Sequence, residues 1–259
     1  MELQRNGVKI SLDLAGKGNL SFLFIHGVGA NRTFFSGMYH HLLKQGRVLN
    51  VDLRGHGKSG TSEQPYTIET YAEDLGWLCK QLKLDNIIVI GHSMGGNIAL
   101  EFNSRHPELV KSLIFLDTWL FWNESALEFF SKRFNELKSP QFLEHLNNLV
   151  EMRCAPTDQY IETVRMSFYE TPQRVWCSSL ENMQKWDMER AKPCVESCRV
   201  PVLYISVDKL LVDLDKFHKY YSSQVVLGKI LGSGHFCNLE VPEQINAMID
   251  RFLFTSALL

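Results

Sequence analysis

No apolar run in this sequence approaches the roughly 18 residues that a membrane-crossing helix requires. The opening Met1 to Gly7 has neither a basic nor an apolar signal region, so no secretory leader is expected. Net charge is small, −2 at pH 7 with 22% charged residues, which gives no electrostatic reason to expect nucleic acid or an acidic membrane surface as partner. Internal repeats and low-complexity stretches are missing too. The six cysteines (Cys79, Cys154, Cys177, Cys194, Cys198 and Cys237) are dispersed. Cys194 and Cys198 lie close together, but no second Cys or His pair stands at zinc-site spacing, so no metal is expected. Reduced, structural thiols in a cytoplasmic protein are the expectation. What remains is an ordinary globular composition, 45% hydrophobic over 259 residues, enough for one large domain or a domain with an insertion.

The chain alternates short apolar runs with helical patterns. Asn6-Gly7 between two alternating stretches signals a hairpin. Phe22 to Ile25, Val48 to Val51, Ile87 to Ile90, Leu113 to Leu116, Val202 to Val207 and Val225 to Leu231 read as strands, mostly buried on both faces. Helices are expected over Glu69 to Leu82, where Tyr71, Leu75, Leu78 and Leu82 keep helical spacing, and from about Pro242 to the end. Such alternation predicts an α/β class with a mostly parallel sheet covered by helices on both faces. The rhythm breaks between Asp117 and Val200, a helix-patterned stretch rich in tryptophan and phenylalanine with no evident strand. That much apolar surface must be covered, and a helical cap over the site would cover it while excluding water.

The chemistry is concentrated in Gly91-His92-Ser93-Met94-Gly95. A β-branched strand precedes it and small, helix-tolerant residues follow, the strand–turn–helix setting of a nucleophile elbow. The serine must stand on a strained tight turn, where Cβ atoms at the flanking positions would collide. The following helix N-terminus supplies partial positive charge where an oxyanion would form. Two other glycine patterns lead elsewhere. Gly55-His56-Gly57-Lys58-Ser59-Gly60 has the form Gly-x-Gly-x-x-Gly, with Asp74 further on, but Thr61 to Pro65 reads as loop where a dinucleotide fold needs a helix. Its Gly-Lys-Ser likewise fails as a phosphate loop, because the first glycine of that motif would fall on Asp52.

With His26-Gly27-Val28-Gly29, Asp52-x-Arg54-Gly55-x-Gly57-x-Ser59, the elbow, and Gly232-Ser233-Gly234-His235-Phe236 in order, the chain resembles the α/β-hydrolase superfamily along essentially its whole length. The resemblance implies a sheet of about eight strands with a cap after the sixth. The expected division is a core of residues 1–118 and 193–259 and a cap of 119–192. It implies Ser93 as nucleophile, His235 as general base, and the backbone N–H groups of Val28 and Met94 as oxyanion donors. Asp52 and Arg54 match loop-bracing positions. The triad acid departs from the common pattern, since an ungapped count from Pro201 places the family's aspartate on Leu210. The acid is then Asp117, ending the sixth strand, or Asp208, which needs a shortened loop; Asp117 is preferred, and Asp213 reads as a helix cap. Trp119, Trp122 and His92 are expected to line the substrate pocket. The implied activity is a serine esterase acting without cofactor on an ester, lactone or related small carbonyl compound with apolar groups. The alternatives are carbon–carbon bond hydrolysis or cofactor-free dioxygenation on the same fold, the latter suggested by a short likeness at residues 117–122, and a non-catalytic ligand receptor.

Overall fold

Asn6 and Gly7 both turn with positive φ, 51° and 78°, and this folds β1 (Glu2–Arg5) back on β2 (Val8–Ala15) as an antiparallel hairpin. The computed structural model describes residues 1–154, 159–207, 211–221 and 225–258. From the hairpin the chain builds an eight-stranded sheet in the order β1-β2-β4-β3-β5-β6-β7-β8. Its central strands are β3 (Ser21–Ile25), β4 (Arg47–Val51), β5 (Ile87–His92) and β6 (Val110–Leu116), followed by β7 (Val202–Ser206) and β8 (Val225–Lys229). From β4 onward along the sheet every pairing is parallel. Strands β3 and β5 are buried at every residue, as their unbroken apolar runs require.

Helices cover both faces. On one side α1 (Ser36–Leu42) and the closing α11 (Pro242–Thr255) pack Met38, Leu42, Ile245 and Phe252 against the sheet. On the other side α2 (Ile68–Gln81) and α3 (Met94–Arg105) bury Tyr71, Leu75, Leu78, Ile98 and Phe102. The expected stop of α2 near Leu82 and start of α11 at Pro242 hold within a residue or two; Thr67 caps α2 by accepting from the Thr70 N–H.

Between β6 and β7 the chain leaves the sheet for α4 (Glu124–Leu137), α5 (Phe142–Arg153), α6 (Ile161–Glu170), α7 (Gln173–Glu189) and α8 (Ala191–Ser197). No strand of the sheet occurs there among the described residues. The expected edge at residue 192 falls inside α8, whose Cys194 and Val195 are fully buried. The reason lies in Glu101 of α3, a fully buried carboxylate that reaches across to this segment. It accepts from Arg190, Trp186 Nε1 and Cys194 Sγ, as well as from Arg105 on its own helix. Burying a charge requires this density of donors. After β7 come α9 (Leu214–Tyr220), capped by Asp213 as the sequence suggests, and α10 (Cys237–Glu240) ahead of α11.

Candidate active site

Strands β3, β5 and β6 end on the same edge of the sheet, and the loops leaving them converge there, where ligands sit in open α/β sheets. Ser93 follows β5 directly and stands at φ 54°, ψ −122°, a conformation that L residues adopt only under constraint. Its neighbours explain the glycines. A Cβ on Gly95 would overlap the Ile25 carbonyl oxygen, and one on Gly91 would overlap the Gly95 carbonyl. The His26–Gly29 loop lies so close that a Cβ on Gly27 would stand 2.9 Å from Ser93 Cβ. Val28 lines the pocket beside Ser93, and Met94 opens α3 immediately after it.

His235 lies on the turn after β8. Its Nδ1 meets Asp117 Oδ2 at 2.6 Å, so Nδ1–H donates to the carboxylate and Nε2 is left as the basic nitrogen. Asp117 ends β6 with φ 46°, its amide donating to Ile205 O at 2.8 Å and its Oδ1 accepting from the Val207 N–H at 3.4 Å. Burial pushes this carboxyl up to about 6, against the opposing pull of His92, Arg153 and the Val207 amide. Burial also holds His235 well below its ordinary value, with Arg153 acting in the same direction, so the imidazole is neutral at physiological pH. The turn itself is anchored at both ends: Gly234 N–H donates to Glu240 at 2.7 Å, and His235 N–H donates to the Arg153 carbonyl at 2.7 Å. Ser93 and His235 line one pocket without a hydrogen bond between Oγ and the ring in this conformation, a looseness common before substrate binds.

The other expected site residues divide. His92 lines the pocket, sets its ring 4.7 Å from that of His235 at a tilt of 47°, and donates from Nε2 to the His235 carbonyl at 2.7 Å. Burial lowers it to about 3, so it is neutral, and its bond to the His235 carbonyl holds that loop in place. Trp119 also faces the pocket, against Phe130 at 5.1 Å. Trp122 does not: it stacks on Phe130, ring centroids 4.1 Å apart, and opens on a neighbouring cleft shared with Asn123 and Val212. The backbone decides this, because Phe121 and Trp122 are turned by their amides donating to buried Asp187 at 2.8 and 2.9 Å. Asp208 lies outside the described residues.

Asp52 and Arg54 brace loops, as expected. Asp52 accepts from Arg32 and from the amides of Arg32 and Lys58, while Arg54 forms a two-pronged pair with Asp74 at 2.5 and 2.7 Å. Asp74 is thereby occupied as an internal counter-charge. His26 is structural too, its Nε2 accepting from the Leu53 N–H. The helices above the sheet close the pocket. Ser167 of α6 donates to Gly29 O at 2.7 Å, and Trp176 of α7 packs on Gly29 so tightly that a Cβ there would overlap its ring. Two pocket residues carried no signal in the sequence, Arg133 of α4 and Arg153 at the end of α5. Helical spacing alone makes them indistinguishable from solvent-facing arginines. Among the described residues no group of three or more His, Cys, Asp or Glu side chains is placed to hold a metal ion.

The sequence profile of the alpha/beta hydrolase fold matches residues 21–240. An uncharacterized protein of Mycobacterium tuberculosis is 34% identical over 109 residues, 42% of this chain and 32% of its own length, so the match spans about a third of that relative. Two solved structures superpose over nearly the full chain. The enol-lactonase from Burkholderia xenovorans LB400 has a TM-score of 0.85 at 20% identity, covering 98% of this chain and 100% of its own. The esterase from Exiguobacterium antarcticum has a TM-score of 0.83 at 22% identity, covering 96% of each chain. At these identities the likeness is one of fold. The profile spans β3 through α10, leaving out only the β1–β2 hairpin and α11, and the chain belongs to the α/β-hydrolase fold family.

Proposed function

We propose that this protein is a serine hydrolase that cleaves a carboxylic ester, a lactone or a related small carbonyl compound through an acyl-enzyme on Ser93. The observation that carries the reading is the 2.6 Å contact of His235 Nδ1 with Asp117 Oδ2, in the same pocket as a serine on a strained elbow. Asp117 fixes the tautomer, and His235 Nε2 takes the Ser93 proton as Oγ bonds to the substrate carbonyl carbon. The N–H groups of Val28 and Met94 hold the resulting oxyanion. As the carbonyl reforms, the bond to the alcohol breaks and the alcohol leaves with the proton held by His235. Water, deprotonated by the same nitrogen, then attacks the acyl carbon and releases the acid and Ser93. The insertion of residues 119–192, with helices α4 to α7 and the start of α8, serves as a cap over the Ser93 pocket, and the aromatic rings of Trp119, Phe130 and Phe168 favour an apolar or aromatic group on the substrate. The solved esterase and enol-lactonase that share this fold support this choice of reaction. Among the described residues no disulfide joins the six cysteines, which supports a reducing, cytoplasmic setting.

The test is covalent. A fluorophosphonate probe should label the wild type stoichiometrically and leave Ser93→Ala unlabelled, while a panel of p-nitrophenyl and lactone substrates should turn over only with Ser93 in place. Equal labelling of the two proteins, or turnover that survives the substitution, would overturn the assignment.

A further inference from the structure

The pocket around Ser93 has an unbalanced charge. Among the described residues no aspartate or glutamate lines it, yet Arg133 and Arg153 both do. Their guanidinium carbons stand 5.5 and 5.6 Å from the centre of one ring, Phe129. Arg133 is only partly satisfied: it pairs with Glu136 at 2.7 Å through one terminal nitrogen, while its buried Nε has no partner. Arg153 has no carboxylate within ion-pair distance among the described residues. Its place is fixed from the backbone, since its carbonyl accepts the His235 amide at 2.7 Å. Two like charges brought together in an aromatic pocket repel and lose hydration, an arrangement that persists unfavourably unless an anion completes it. Burial makes the cationic form of Arg153 harder to hold; Asp117 opposes this from the triad side and the neighbouring Arg133 adds to it.

We infer that the substrate of this site carries a carboxylate in addition to its scissile carbonyl, bound by Arg153 with help from Arg133. The inference rests on the proposed reaction at Ser93 and narrows its substrate class to acidic esters or lactones. A guanidinium offers a planar pair of N–H donors that match a carboxylate, whereas a neutral ester offers it little. The space left beside Ser93 and His235 is narrow, about 50 Å³, which favours a short link between the carboxylate and the reacting carbonyl. Arg153 also faces Asp117 and lowers its affinity for a proton, so a purely supporting role for Arg153 in the triad is the competing account.

Monophenyl succinate and its methyl ester separate the two. The compounds share the phenyl ester and differ in the free carboxylate. In the wild type the acid should show the higher kcat/KM. Arg153→Gln should lower the acid-to-methyl-ester ratio of kcat/KM by about tenfold to a hundredfold, the range for a hydrogen-bonded charge pair, mainly through KM. Arg153→Lys should restore part of that ratio, and Arg133→Gln should lower it less. Calorimetric binding of the same two compounds to Ser93→Ala should show the same preference without chemistry. An equal loss of kcat/KM on both esters, with no preference in the binding arm, would overturn the carboxylate site and leave Arg153 as a support for Asp117. Failure of fluorophosphonate labelling would instead overturn the reaction, while the binding arm still decides whether the pocket selects an anion.

Discussion

Replacing Asp117 with asparagine should leave the protein almost inactive and change its stability relative to the wild type in a direction set by pH. Asp117 is 2% exposed, and its carboxyl is half-ionised near pH 6 in the fold against an ordinary 3.8. Between those values the native state binds a proton that the unfolded chain has released. Stability therefore falls as pH rises through the window and stays low above it. The penalty of ionised Asp117 amounts to about 1 kcal/mol at pH 4.5 and about 3 kcal/mol at pH 8. Asparagine carries no charge and escapes that penalty, but it loses the charge-assisted bond to His235, worth roughly 1.5–3 kcal/mol. The two effects nearly cancel at pH 8, and the lost bond dominates at pH 4.5. Urea unfolding of both proteins at the two pH values measures this directly. The stability difference should move by about 2 kcal/mol in favour of Asp117→Asn on going from pH 4.5 to pH 8. Other titrating groups are common to both proteins and largely drop out of the difference. Turnover should fall by about 10⁴ at every pH, because asparagine no longer holds the Nδ1–H tautomer. A difference that is flat with pH, or that moves toward the wild type as pH rises, would refute the account of Asp117 as a buried carboxylate strained by its own charge.

His235→Ala should lower kcat by about 10³–10⁶ with an unchanged circular dichroism spectrum, and near-normal turnover would remove it from the proposed triad. Gly95→Ala should lower Tm or prevent folding, because its new methyl group would press on the Ile25 carbonyl of β3, which is backbone and cannot turn aside; a fully stable, active variant would contradict the elbow geometry. Glu101→Ala should destabilise the fold by about 3–5 kcal/mol in urea, since Arg190, the Trp186 N–H and Cys194 lose their shared acceptor. A loss below 1 kcal/mol would show that α7 and α8 are held without it.

The sequence by itself determined the elements whose cause lies within a few adjacent residues. The hairpin at Asn6-Gly7, the buried strands β3 and β5, and the elbow around Ser93 are of this kind. Each depends on local sterics or on burial of one continuous run, and neither needs a distant partner to be recognised. His235 was legible for the same reason, as a histidine in a glycine turn after the last apolar run. Other features depended on how distant segments meet. Asp117 and His235 are 118 positions apart, and only the parallel alignment of β6 beside β5 and β7 brings the carboxylate to the ring. Trp119 and Trp122 are equally aromatic on paper, yet the amide bonds to Asp187 from α7 send one to the pocket and the other to a neighbouring cleft. Arg133 and Arg153 show the limit most clearly. A helical arginine faces solvent unless another helix covers it, and the packing of α4 and α5 over Phe129 is what turns these two charges toward Ser93.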